Sequence, residues 1–270
     1  MTKRAEPLAT RQVDHLRVEV YASRKEMGAA AAWDIAAQMR QRLAQRDGVR
    51  LIFAAAPSQN EMLAALCAAP NIDWELVDAF HMDEYVSLPA DAPQRFGNFL
   101  REHIFDIVHP GRVEYIGGTL DDVQSECRRY AALLSEKTVD IVCAGIGENG
   151  HMAFNDPHVA DFSDSEIIKP VTLDGVCRRQ QVRDGAFATL AEVPEVALTL
   201  SMPALMAAQH IFCVVPGSAK AQAVARTCLG SISEECPATA MRRHAKAILY
   251  VDQDAAAQLS WGQGRKAPSE

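Results

Sequence analysis

Short apolar runs rich in β-branched residues recur along this chain, and each gives way to polar turn residues and then to a segment with helical spacing of its apolar positions. That alternation of period predicts parallel strands joined by crossover helices, because a parallel neighbour is reached only through a connection long enough to hold one. The runs are LRVEVYAS, Val49 to Ala56, ELVDAFHMDEY, VDIVCAGIG, ALTLSMPALMAA, HIFCVVPG and KAILYVD. Helices are expected from the Ser23–Glu26 capping box to about Ala44, at EMLAALCAA, RFGNFLREHIF, SECRRYAALLSE and GSAKAQAVARTCL, and after the last strand. The expected fold is α/β, a parallel sheet flanked by helices in a single domain over 1–270, with frayed ends at about 1–14 and 262–270. ELVDAFHMDEY is read as a strand ending in an acidic loop, and Asn155 to Pro170 as a long loop of the kind that covers a site.

Composition narrows the function by exclusion. The 35 acidic and 27 basic residues leave a net charge of -8, whereas a nucleic-acid binder needs a basic face for the phosphate backbone. Neither a membrane-spanning apolar stretch nor the apolar core of a signal peptide is present, so a cytoplasmic location and no membrane partner are expected. Seven scattered cysteines without a Cys-x-x-Cys pair read as reduced, mostly core thiols.

In an open parallel sheet ligands bind beyond the carboxyl ends of the strands. The polar clusters of this chain collect there, after Ala56, Phe80, Ala144 and Val215. Asp83 and Glu84 stand just past a strand, where desolvation or a like charge raises a carboxyl towards the operating pH of a general base. His151 lies between a glycine turn and an apolar run, with Asp156 near enough in sequence to fix its tautomer. Ser58 and Gln59 at one helix start, and Gly217 to Lys220 at another, suit a phosphate. Gly145-Ile-Gly147-Glu-Asn-Gly150 matches the dinucleotide pattern formally, but it runs into turn residues and not into a helix. No His-x-x-x-His or comparable spacing accompanies His81, Asp83 and His151, so neither metal nor cofactor is expected.

Four segments together, FHMDEYVSLP, VDIVCAGIGENGHMAFNDP, ALTLSMPALMAAQHIFCVVPGSAKAQAV and AMRRHAKAILYVD, resemble the glucosamine-6-phosphate deaminase/isomerase family within the 6-phosphogluconolactonase superfamily. The resemblance implies a Rossmann-like sheet, a phosphosugar as the small-molecule partner, an aminosugar deaminase among the hydrolases of carbon–nitrogen bonds, and a homo-oligomer of unspecified size. Asp83 matches the base that moves a proton between C2 and C1, and His151 matches the ring-opening histidine. Asp156 stands for the usual glutamate partner, one methylene shorter. Asn149 replaces an aspartate and so withholds a charge from His151. Lys220 matches the phosphate lysine, and Ser58, Gln59, Glu84 and Gly147 fall at substrate-binding positions. Arg179 is the favoured phosphate arginine, with Arg178 as the alternative. Rival readings are a 6-phosphogluconolactonase-like hydrolase in which His151 activates water, a non-catalytic sugar-phosphate sensor, and a nucleotide-binding dehydrogenase.

Overall fold

The computed structural model describes residues 3–45, 48–117 and 122–261. The chain opens with a hairpin of β1 (Ala9–Val13) and β2 (Leu16–Tyr21), then α1 (Arg24–Leu43), β3 (Val49–Phe53) and α2 (Asn60–Cys67). β4 (Val77–His81) and β5 (Asp83–Tyr85) are followed by α3 (Phe96–Leu100), which continues through a π turn at Arg101–Phe105 into α4 (Asp106–Val108). Next come β6 (Arg112–Glu114), α5 (Val123–Ser135), β7 (Ile141–Ala144), β8 (Ile168–Thr172), α6 (Gly175–Arg183) and β9 (Val196–Leu200). The chain then forms α7 (Met202–Met206), β10 (His210–Val215), α8 (Ala221–Leu229) and β11 (Ala247–Asp252).

Eight strands form one sheet in the order β1-β2-β11-β10-β7-β3-β4-β6, parallel throughout except for the β1–β2 hairpin. Successive residues of a strand face opposite sides, so β3 sends Ile52 to one core and Leu51 and Phe53 to the other. β10 likewise divides Ile211, Cys213 and Val215 from Phe212 and Val214. The first core is roofed by α5, α7 and α8, the second by α1, α2 and α3. Runs apolar on both faces, which periodicity alone does not distinguish from buried helix, are therefore central strands of a three-layer sandwich.

Several sequence expectations need correction. Val196–Leu200 is not in the parallel sheet; it is the middle strand of a separate antiparallel sheet, β5-β9-β8. Its apolar run has the same period in either setting, so the pattern is blind to the partner. The acidic loop at Asp83 is itself a strand of that sheet, and the long loop after Asn155 ends where β8 begins, at Ile168. Pro170 is tolerated there because β8 is an edge strand. Among the described residues no helix follows Asp252: its carboxylate accepts from Ala255 N–H (2.8 Å) and the chain continues in turns to 261. Residues 262–270, expected to fray, lie outside the described residues.

The start of the chain is not frayed over 3–14. Arg4 donates to both carboxylate oxygens of Asp34 on α1 (2.8 and 2.6 Å) and to the buried Glu19 of β2. Tyr21 hydroxyl donates to Glu19 and Tyr250 hydroxyl to Asp34 (2.7 Å), so strand, helix and leading segment share one network. A buried carboxylate stripped of a charged donor loses about 1–3 kcal/mol. Arg4→Ala is expected to lower stability by about that amount, read as a urea midpoint shifted at constant slope; an unchanged midpoint would mean that the network closes without the guanidinium.

Candidate functional site

The carboxyl ends of β10, β7, β3 and β4, adjacent in the sheet, open into one cleft of about 660 Å3. Asp83, His151, Ser58, Gln59, Gly147 and Lys220 all line it. Asn149, Asp156, Glu84 and Arg179 do not.

Asp83 is held by backbone. Between β4 and β5 the Met82 N–H donates to Phe53 (3.2 Å), and the Met82 carbonyl accepts from Leu200 N–H (2.8 Å). Asp83 then pairs in register with Thr199 of β9. Beneath it His81 is wholly buried: Nε2 accepts from Ile116 N–H (2.8 Å), so Nδ1 carries the proton and donates to the Asp83 carbonyl (2.9 Å). The Tyr130 hydroxyl closes on the same residue, accepting from His81 N–H (2.9 Å) and donating to its carbonyl (2.8 Å). Burial pushes the His81 imidazole down to about 4, so it is a neutral strut.

The Asp83 carboxylate accepts no hydrogen bond among the described residues. Burial, and after it the neighbouring Glu84 charge, raises it well above the usual carboxylate range. Glu84 points the other way, accepting from the N–H groups of Tyr85 (2.9 Å), Phe96 (3.1 Å) and Gly97 (3.0 Å), with Arg95 at 3.5 Å. It holds β5 to the start of α3 and does not reach the cleft, so the substrate-binding position expected for it is filled by a structural anchor.

The turn after β7 does not open a helix. Gly150 N–H donates to the Gly147 carbonyl (3.0 Å), and Gly150 has φ +94°, left-handed backbone that favours glycine. Gly147 makes room for the imidazole, since a Cβ there would lie 2.1 Å from His151 Cε1 and Nε2. His151 Nδ1 meets Asp156 Oδ1 at 2.8 Å, so the shorter aspartate stem reaches it. The loop carrying both is tied to β9 by Phe154 N–H on Thr199 Oγ1 (3.0 Å) and by Asn155 on the Leu200 carbonyl (2.8 Å). Burial would raise the Asp156 carboxyl, but hydrogen bonds and charge from His151 and a bond from Asn149 outweigh it and hold it below the usual range.

Asn149 is complementary to this pair. Its Nδ2 donates to Asp156 Oδ1 (2.7 Å) and its Oδ1 accepts from His151 N–H (3.0 Å). The missing charge is thus matched by a donor that an aspartate would lack, and the buried Asp156 supplies the carboxylate alone.

The Lys220 ammonium, also in the cleft lining, has neither hydrogen bond nor ion pair among the described residues; burial lowers its pKa and Asp184 and Glu148 oppose the shift. Ser58 accepts from Gln59 Nε2 (3.0 Å), which also donates to the Val214 carbonyl (3.2 Å). Arg179 lies against Gly175, while Gln180 and Gln181, the next residues of α6, face the cleft. A helix turns about 100° per residue, and sequence alone does not say which residue of Arg178-Arg179-Gln180-Gln181 points inward. Arg178 donates to the carbonyls of Leu190 and Val193 (2.9 Å each). Among the described residues the arginine that lines the cleft is Arg24, just past the end of β2; it holds Glu61 at 2.9 and 3.0 Å.

A family model described as glucosamine-6-phosphate isomerases/6-phosphogluconolactonase matches residues 22–250, and the chain belongs to that family. Among its relatives, a glucosamine-6-phosphate deaminase of Bacillus cereus is 35% identical over 186 residues, 68% of this chain and 69% of the relative. A solved monomeric glucosamine-6-phosphate deaminase superposes with a TM-score of 0.82 at 27% identity, over 89% of this chain and 98% of that one. A 6-phosphogluconolactonase of Thermotoga maritima shares the fold, with a TM-score of 0.71 at 17% identity over 87% and 98%. No helix among the described residues is long and apolar enough to cross a membrane.

Two outcomes follow from the buried groups. Folded His81 takes a proton only near pH 4 and the unfolded imidazole near 6.5, so its contribution is complete above the higher value and is lost as pH falls towards the lower. Across that interval His81→Asn is expected to lose stability with acidification less steeply than wild type; parallel curves would show that the ring is not the proton acceptor. Asn149→Asp sets a second carboxylate against Asp156 and is expected to cost roughly 1–3 kcal/mol at neutral pH, a deficit that shrinks on acidification as a shared proton restores the bond. A pH-independent deficit would contradict that contact.

Proposed function

We propose that this chain is an aminosugar-6-phosphate deaminase that converts glucosamine 6-phosphate to fructose 6-phosphate and ammonia by isomerisation and hydrolysis of an imine. The observation that carries this reading is Asp83: a desolvated carboxylate with no hydrogen-bond donor, beside His151 in one cleft. A base that abstracts a proton from carbon needs that condition, because every donor to the carboxylate would stabilise its resting form. Closely named relatives support the same substrate.

The phosphate docks on Ser58, Lys220 and Arg24, a hydroxyl and two cations of the cleft lining. The hydrogen bond to Asp156 keeps the His151 proton on Nδ1, leaving the Nε2 lone pair free to take the proton of the anomeric hydroxyl. Its return to the ring oxygen opens the pyranose. Asp83 then removes the proton on C2, giving an enolamine, and returns it to C1. The C2 imine takes up one water and releases ammonia, so the net reaction is a deaminating isomerisation. Asn149 keeps Asp156 oriented and contacts no substrate.

Asp83→Asn is expected to reduce ammonia release from glucosamine 6-phosphate by roughly 10²–10⁴-fold, the range of a lost general base, and to abolish solvent deuterium incorporation at C1. In wild type, kcat/KM should fall on acidification at a pH above the usual carboxylate range, since Asp83 is raised and must be ionised to act. Deuterium incorporation that survives the substitution removes Asp83 from the role.

A further inference from the structure

Behind the His151–Asp156 pair lies a third side chain that the reaction does not use. Cys177 of α6 is fully buried, and its Sγ, a carboxylate oxygen of Asp156 and a ring nitrogen of His151 lie within 4.8 Å of one another. Asp156 Oδ1 is occupied by His151 and Asn149, but Oδ2, in a wholly buried residue, meets no nitrogen or hydroxyl donor, and the one group near enough to give the carboxylate a further hydrogen bond is the Cys177 thiol. A thiol is a weak donor, so most of the cost of burying that carboxylate oxygen stays unmet. The three sit on two supports: His151 and Asp156 on the loop after β7, and Cys177 on α6, whose N-cap Asp174 takes the Cys177 N–H at 2.6 Å.

We infer that His151, Asp156 and Cys177 form a binding site for a thiophilic divalent cation such as Zn2+, and that the cation switches the active site off. Mixed nitrogen, oxygen and sulfur sets of this kind are those zinc prefers, at about 2.0–2.3 Å from each donor atom, which places the donors about 3.3–3.6 Å apart in a tetrahedron. With Oδ2 as the carboxylate ligand, Oδ1 keeps the Asn149 amide and gives up the His151 Nδ1 hydrogen bond as that nitrogen turns to the ion, and donor atoms now within 4.8 Å of one another close to that spacing by rotamer-scale movement. A water completes the tetrahedron. The binding step balances in protons. The ion replaces the thiol proton, which leaves to solvent, and the Nδ1 proton, which passes to Nε2, so the imidazole stays neutral.

That transfer is the inhibitory event, and it rests on the function proposed above. With the proton on Nδ1, Nε2 offers a lone pair to the sugar hydroxyl. With a metal on Nδ1, Nε2 becomes an N–H donor and cannot accept. The ion therefore inactivates without entering the sugar's space, and inhibition is expected to be non-competitive with substrate.

The test uses the full-length, metal-free protein. Calorimetric titration with Zn2+ is expected to show one site per chain, weakened in Cys177→Ala by roughly a hundredfold or more, beyond the 10–100-fold typical of an outer-shell change. Co2+ should give a thiolate-to-metal charge-transfer band in wild type, a reading that needs no variant to fold. Ammonia release should stop on zinc loading and return with a chelator. Binding that Cys177→Ala leaves unaltered, or a cobalt complex without thiolate absorption, overturns the site. Zinc held through Cys177 by a protein that never turns over an aminosugar phosphate leaves the site standing and retires the functional reading instead.

Discussion

The arrangement of this active site depends on one backbone strand, β9, packed against the ends of the parallel sheet. Thr199 pairs in register with Asp83, and its hydroxyl takes the Phe154 N–H of the loop that carries His151 and Asp156. Leu200 completes the link, donating its N–H to Met82 and accepting from Asn155 with its carbonyl. Main-chain hydrogen bonds in a dry environment are obligatory, so the base is placed by groups that no side-chain substitution can delete, while the histidine loop hangs on the same strand through the Thr199 hydroxyl and the Asn155 amide. The small sheet is less a domain than a clamp across the sheet's carboxyl edge.

Electrostatics are handled by assigning each buried carboxylate its own set of donors. Glu84 receives three backbone N–H groups, Asp156 receives an imidazole and an amide, and Asp83 receives none. The consequences differ accordingly: Asp156 stays ionised while Asp83 is pushed up towards the pH at which a base is most useful. His81 serves the same end from below. Its two ring nitrogens are both used by backbone, so it stays neutral and adds no positive charge that would pull Asp83 back down.

Neighbouring residues here have unlike fates, and that limited what could be read in advance. Asp83 and Glu84 are indistinguishable as chemistry, yet alternation along β5 turns one to the cleft and the other to the start of α3. Arg179 and Gln180 differ by a single helical step, and the step decides which faces the cleft. Asn149 reads as a lost charge in the chain and as a needed donor in space, because the carboxylate it serves is seven positions away. Arg24 reads only as part of a helix cap and Cys177 carries no motif; they reach the site because the first turn of α1 and α6 deliver them there.

Local chemistry along the chain determined the central strands, the Ser23 cap of α1, the glycine turn before His151 and the clustering of polar groups at strand ends, since each follows from the period or conformational freedom of a few adjacent residues. The polarity of β9, the separate small sheet, the inward face of α6 and the partners of every buried carboxylate were decided only by tertiary structure. Hydrogen-bond pairing and desolvation depend on which distant segments exclude water together, and no run of neighbouring residues specifies that.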